Sequence, residues 1–226
     1  MTKVEMSIAS LAVSLVAALG YYFFFGIPFV SRAEIAGFET LTARVAEAAA
    51  SGRVAPGLET PVCQADAPKH IGELVQDLLS GKPALECGSE LQPAAALTQP
   101  VAIVDLDRKQ IDSINGTVPD PLRAPNLGAA ATIAFIHCSK RKTGSYGFFR
   151  DAFAQECNVL FVAAKGPSGM QILGLAFFRS PAPEKIDTRF SFFGDIVADR
   201  PDFDMRYYIV SRFAGAAEPE NPSATR

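Results

Sequence analysis

The chain has 226 residues, of which 49% are hydrophobic and 20% charged, and its formal net charge is −3. This apolar content excludes a wholly disordered protein, because disordered chains bury too little apolar surface to fold. The slight acidity argues against a nucleic-acid-binding protein, and two histidines leave little room for metal or general-base chemistry. The length allows one ordinary domain, or a small domain together with an anchor and linkers.

Residues 6–30 contain no charged side chain and follow a short N-terminal tail at residues 1–5. About 20 apolar residues in a helix span a bilayer, so this run predicts a single transmembrane helix. Pro28 predicts the end of that helix, or a kink in it, near Ile27. A signal peptide cleaved near Gly20 is the alternative, but the apolar run continues past that point through Val30.

Four cysteines bear on the compartment of the protein: Cys63, Cys87, Cys138 and Cys157. An even number in an anchored chain favours an oxidising compartment, and reduced thiols in a cytosolic domain are the alternative. Their spacings do not resemble those of zinc sites, so we expect no metal and no cofactor. Local loop closure favours the disulfides Cys63–Cys87 and Cys138–Cys157, each closing a loop of roughly 20 residues. We therefore expect the domain that follows the anchor to lie in the bacterial periplasm.

Two helices are predicted before the main domain. Residues 31–50 form a membrane-proximal segment in which apolar side chains recur every three or four positions from residue 33, as in an amphipathic helix. This helix either continues the membrane helix as a stalk or packs on the domain. Residues 51–99 are predicted as a linker with one short helix near residues 68–79, which Gly81 can end in a left-handed conformation.

Residues 100–213 are predicted to form an α+β domain, with a small, mostly antiparallel sheet and flanking helices. The expected strands cover residues 101–107, 111–118, 130–138, 158–165 and 170–179, the last two as a hairpin. Residues 148–156 are predicted as one or two helical turns. The flanking residues of 201–213 favour a helix and its Tyr and Ile content favours a strand; we predict a helix. Residues 214–226 are predicted to be a disordered tail.

Residues 100–213 resemble a group of uncharacterised bacterial domains. The resemblance rests on the runs AIVDLD, PLRA and GSYG, on Ala154 and Cys157 at the opening of a strand, and on a closing amphipathic segment. It implies an α+β domain and brings no known activity.

Neighbouring His137 and Cys138 resemble the pair of a thiol nucleophile and its base. On a strand, however, adjacent side chains point to opposite faces, so these two do not form a dyad. Cys138 would need the distant His70 instead, and a disulfide would remove the nucleophile. Asp105 and Asp107 resemble an acid pair, but their ordinary role is to end a strand and form a turn. We therefore predict no catalytic residue.

The run SKRKTGSYG at residues 139–147 is the candidate binding site of the chain and is predicted to be a polar loop. Lys140, Arg141 and Lys142 lie beside Ser145 and Tyr146, and such a loop can present charge and backbone N–H groups to an anion. It lacks the GxxxxGK[ST] spacing of a nucleotide-binding loop. A solvated loop without a ligand is the alternative. Replacing all three cations by Ser is expected to leave the fold intact.

These patterns favour a single-pass membrane protein that serves as an accessory or interaction subunit of a bacterial envelope complex and is not an enzyme. Its expected partners are the lipid bilayer and other membrane-protein subunits. One alternative is an envelope enzyme or anion-binding receptor that uses the loop at 139–147. The other is an anchored domain on the cytoplasmic face that contacts anionic lipid or a partner through the same cations.

Overall fold

The computed structural model describes residues 32–55, 70–82, 97–145, 150–166, 169–182 and 195–213. The predicted transmembrane helix at 6–30 and the predicted tail at 214–226 lie outside the described residues, and so do Cys63, Cys87 and Tyr146. Within the described residues, no helix is both long enough and apolar enough to cross a bilayer.

The described elements are three α-helices, six strands and two short 3₁₀ helices. The α-helices are α1 (Arg32–Ala50), α2 (Ile71–Leu79) and α3 (Asp202–Val210). The strands are β1 (Val101–Asp105), β2 (Gln110–Ile111), β3 (Thr132–Ser145), β4 (Asp151–Gly166), β5 (Gly169–Ser180) and β6 (Ile196–Val197). The 3₁₀ helices span Ser113–Thr117 and Asp120–Leu122.

The described strands form one sheet in the order β2-β1-β3-β4-β5, with β6 beside β4. The β1–β3 and β4–β6 pairs are parallel and the remaining pairs antiparallel, which confirms an α+β fold with a mostly antiparallel sheet. The β3–β4 ladder is the longest, since it runs from Thr132 opposite Ala163 to Ser145 opposite Asp151. β1 pairs with β3 only as far as Ile136. The far end of the β3–β4 ribbon therefore continues past β1.

The sheet has a hydrophobic core on each face, because successive residues of a strand point to opposite sides. Phe135 and Leu160 belong to the core that includes α1 and α2. Ile136 and Phe161 belong to the core that includes α3. The continuous apolar runs of β3 and β4 thus supply both cores, and helices cover the two faces of the sheet.

The end of α1 and the start of α2 approach each other closely at Gly72. A Cβ atom at this position would lie 2.7 Å from the carbonyl oxygen of Ala49, so only glycine permits the approach. After α2 the chain turns at Gly81, whose φ of 73° is the left-handed conformation predicted for it. This turn carries Lys82 back towards the sheet.

Several local predictions are confirmed. The helix expected over residues 33–50 is α1, the short helix near 68–79 is α2, and the segment 201–213 contains the helix α3. The predicted hairpin around residues 166–169 is formed by β4 and β5.

Other local predictions are wrong. Residues 139–145 continue strand β3 instead of forming a loop, and residues 151–156 are strand instead of helical turns. These two segments pair with each other, and that pairing outweighs their weak individual preferences. Between 111 and 118, only Ile111 belongs to a strand, because Asp112 accepts a hydrogen bond from the Ile114 N–H and starts a 3₁₀ helix.

Candidate functional site

A disulfide joins the centres of β3 and β4, between Cys138 and Cys157. The two residues are directly opposite in the antiparallel ladder, and their Cα atoms lie 4.1 Å apart. This distance is typical of the pairs between which no backbone hydrogen bond forms. The second predicted disulfide, Cys63–Cys87, lies outside the described residues. Because the sulfur of Cys138 is bonded to Cys157, it is not a nucleophile in this state.

The three predicted cations do not form one surface, because they lie on a strand. Arg141 points to the same face as His137, whereas Lys140 and Lys142 point to the face of the disulfide. A loop would have left their directions open, but the pleat of β3 separates Arg141 from the two lysines. The candidate site therefore consists of two different environments.

Arg141 forms an ion pair with the buried carboxylate of Glu156. Its Nε lies 2.9 Å from Oε1 of Glu156, and Nε of Arg179 lies 3.4 Å from the same oxygen. The Glu156 side chain is only 2% exposed, and a buried carboxylate is stable only when it is paired. Replacing Arg141 is therefore expected to destabilise the fold, contrary to the expectation from the sequence. The role of Glu156 could not be predicted from the sequence, because nothing in its local pattern distinguishes a buried acid from an exposed one.

Lys140 and Lys142 are exposed near the end of the β3–β4 ribbon. The Nζ of Lys142 lies 2.7 Å from Oδ2 of Asp151, and the Ser145 hydroxyl donates to Oδ1 of Asp151 at 3.0 Å. Hydrogen bonds from Lys142 and then from Ser145 lower the pKa of Asp151. Lys140 has no ion-pair partner in the part of the chain that the structure describes. This end of the ribbon presents a small, incompletely neutralised basic surface.

His137 lies on the other face of the sheet and is held at both ring nitrogens. Its Nδ1 lies 2.6 Å from Oδ1 of Asp107, and its Nε2 lies 2.9 Å from the carbonyl oxygen of Lys82. The second carboxylate oxygen of Asp107 accepts the backbone N–H of Cys138 at 2.9 Å. Since both neighbours of the ring are acceptors, both ring nitrogens donate, which describes the protonated imidazolium. Residues 30 and 55 positions away in sequence form this site, so local patterns could not reveal it.

The pKa of His137 is raised and the pKa of Asp107 is lowered. The hydrogen bond to Asp107 raises the pKa of His137 and outweighs the opposite effect of burial. Burial alone would raise the pKa of Asp107, but the hydrogen bonds from His137 and from the Cys138 N–H outweigh it, and the pKa of Asp107 is lowered. Both shifts favour the ion pair over its neutral form.

A cavity of about 190 Å³ lies beside His137. Its walls include Phe38 of α1, Leu78 of α2 and Leu106 after β1, together with the charged residues Glu39, Asp107 and Lys109. The Nζ of Lys109 lies 3.7 Å from Oε1 of Glu39. The cavity thus lies between α1, the end of α2 and the turn after β1.

Asp105 and Asp107 bond to different partners. Asp105 accepts hydrogen bonds from the backbone N–H groups of Asp107 and Arg108, at 2.9 and 2.8 Å, and so closes the turn after β1. The ordinary role predicted for this residue, ending a strand and forming a turn, is confirmed.

Arg200 ties three aspartates together just before α3. Its guanidinium lies 2.7 Å from Asp112, 2.7 Å from Asp202 and 3.7 Å from Asp105. Asp112 is almost fully buried, with 2% of its side chain exposed. The network connects the end of β1, the first 3₁₀ helix and α3, which makes it a structural clamp.

Within the described residues, no group of three or more His, Cys, Asp or Glu side chains is placed to hold a metal ion. No family model, curated protein or solved structure matches the chain. The resemblance of residues 100–213 to uncharacterised bacterial domains therefore stays a prediction.

Proposed function

We propose that this chain is a single-pass, membrane-anchored interaction subunit of a bacterial envelope complex, with its sheet domain in the periplasm. The observation that carries the proposal is the Cys138–Cys157 disulfide at the centre of the sheet. Disulfides persist in oxidising compartments and are rare in the cytosol. Together with the uncharged run at residues 6–30, the disulfide favours a domain held on the outer side of the inner membrane.

The surroundings of the most reactive side chains support an interaction role over an enzymatic one. Both ring nitrogens of His137 lie against acceptors, and the sulfur of Cys138 is in a disulfide. A general base needs a ring nitrogen within reach of a substrate proton, and a thiol nucleophile needs a free thiolate. In this domain both residues hold strands and turns in place.

The proposed contact surface is the basic end of the β3–β4 ribbon, defined by Lys140, Lys142 and Ser145. These side chains are exposed at a point where the ribbon has passed the last β1 pairing. Two lysines on one strand face attract an acidic patch, which we propose belongs to another membrane-protein subunit. Arg141 is not part of this surface because it points to the opposite face and holds Glu156.

The proposal is tested by recovering the full chain from native membranes in a mild detergent and identifying what co-elutes. Replacing both Lys140 and Lys142 by Ser removes two exposed charges without touching Glu156. Exposed charge pairs contribute about 0.5 kcal/mol each, so we expect about fivefold less partner at low salt. The difference should shrink at high salt, because screening weakens the wild-type contact.

The matched control replaces two other exposed cations, Lys165 and Arg206, by Ser, which changes the net charge equally. Its partner recovery should equal that of the wild type. Equal recovery with the Lys140/Lys142 variant would contradict the proposed surface. Binding of the purified chain to vesicles of anionic lipid, lost in the same variant while partner recovery is unchanged, would instead favour the lipid-binding alternative.

A further inference from the structure

We propose that His137 is a proton-operated latch that holds the turn after α2 against the sheet and loosens this turn when the ring loses its proton. The latch consists of the imidazole ring, the carboxylate of Asp107 and the carbonyl group of Lys82. It requires no ligand and depends only on the protonation state of one side chain.

The number of N–H groups on the ring decides whether both acceptors are bonded. The imidazolium carries two N–H groups, which match the two acceptors at 2.6 and 2.9 Å. A neutral imidazole carries one N–H group and one lone pair. The carboxylate of Asp107 is the stronger acceptor, because bonds to charged groups exceed those to neutral ones, so the remaining proton stays on Nδ1. The lone pair of Nε2 then faces the carbonyl oxygen of Lys82 across 2.9 Å, and the two repel each other.

Release acts on the wall of the cavity beside the ring. Lys82 follows α2 by three positions, and Leu78, Leu79 and Gly81 line the same cavity of about 190 Å³ as His137. Among the described residues, the backbone N–H groups of this turn bond only back to α2: that of Gly81 donates to the Leu78 carbonyl and that of Lys82 to the Asp77 carbonyl. The helix itself stays packed through buried Leu74 and Leu78, so loss of the His137 bond loosens the turn at residues 81–82, which forms part of the cavity wall.

Charged groups surround the ring on several elements. They are Asp105 and Asp107 around the turn after β1, Lys109 paired with Glu39 of α1, Lys82 paired with Asp77 of α2, and Glu156 with Arg141 and Arg179 farther along the same sheet face. Asp105 itself lies 3.7 Å from Arg108 and 3.7 Å from Arg200, and Arg200 also lowers the pKa of Asp107. The pairs largely neutralise themselves, and the hydrogen-bonded Asp107, with a smaller effect from Asp105, favours the protonated ring. The folded pKa of His137 is raised, so its stabilising contribution is complete below the ordinary value and is lost as pH rises through the raised value.

The test is a pH titration by NMR of the isotope-labelled full chain in detergent micelles. At about pH 6 both ring nitrogens of His137 should be protonated. As the pH rises, Nε2 should lose its proton, and the ¹³C signal of the Lys82 carbonyl should shift with the same midpoint. Because a hydrogen bond from a charged donor is lost, the exchange protection of the Lys82 amide should fall about tenfold.

The chain offers a matched control, because its other histidine, His70, is exposed just before α2. The His70→Gln variant should keep the titration of the Lys82 carbonyl, and the His137→Gln variant should abolish it. A Lys82 signal that titrates equally in His137→Gln would overturn the latch. If that variant does not fold, the protonation of His137 in the wild type provides the test. An Nε2 that stays unprotonated from acid to alkaline pH would also overturn the latch.

Discussion

Replacing Arg200 by Met is expected to lower the free energy of unfolding by about 3 kcal/mol, because breaking a buried ion pair leaves an uncompensated charge. The guanidinium of Arg200 donates to Oδ2 of Asp112 at 2.7 Å, and the Asp112 side chain is 2% exposed. Met fills a similar volume but offers no donor. Urea unfolding followed by circular dichroism measures the loss.

Arg108 provides the control for this experiment. Its Nε also approaches Asp105, at 3.7 Å, but its side chain is 73% exposed, so Arg108→Met should cost less than about 1 kcal/mol. Adding Asp112→Asn to Arg200→Met removes the stranded charge and keeps an oxygen for the Ile114 N–H, so part of the stability should return. Equal losses in Arg200→Met and Arg108→Met would show that the network does not clamp the fold.

Removing the central disulfide, by replacing both Cys138 and Cys157 with Ala, is expected to cost about 3 kcal/mol. The bond closes a loop with a sequence separation of 19 residues, and its loss lets the unfolded chain sample more conformations. Cys157 is also fully buried in the core that includes α3, so Ala leaves unfilled space there. Urea unfolding of the oxidised wild type and of the double variant measures the difference.

A reducing agent separates the effect of the bond from that of packing. Reduction should lower the unfolding midpoint of the wild type more than that of the double variant, because any effect of Cys63 and Cys87 is common to both. A wild type whose unfolding midpoint stays constant after its thiols become alkylatable would contradict a stabilising role for this bond.

The sequence predicted those elements whose pattern is local. The apolar spacing that marks α2 is carried by Ile71, Leu74, Val75 and Leu78, all of which are buried. The hairpin of β4 and β5 follows from two apolar segments around a turn. The class of the fold could be predicted from such segments, because helical spacing and apolar runs on either side of a turn favour different kinds of element.

What could not be predicted depends on pairing between distant residues. The parallel register of β1 and β3 has no local signature, and residues 139–145 are strand only because β4 lies beside them. The candidate site was found by its composition, but the alternation of β3 divides it between two faces. The contacts of His137 with Asp107 and Lys82 join segments that the sequence treats as unrelated.

The measurement that most directly tests an anchored periplasmic domain is protease accessibility of the full chain in bacterial membranes. Protease is added to spheroplasts and, separately, to inside-out vesicles, and a tag after the last residue reports which domain survives. We expect the chain to stay in the membrane pellet, to be digested in spheroplasts and to be protected in inside-out vesicles. Release of the chain into the soluble fraction, or protection in spheroplasts with digestion in the vesicles, would contradict an anchored periplasmic domain.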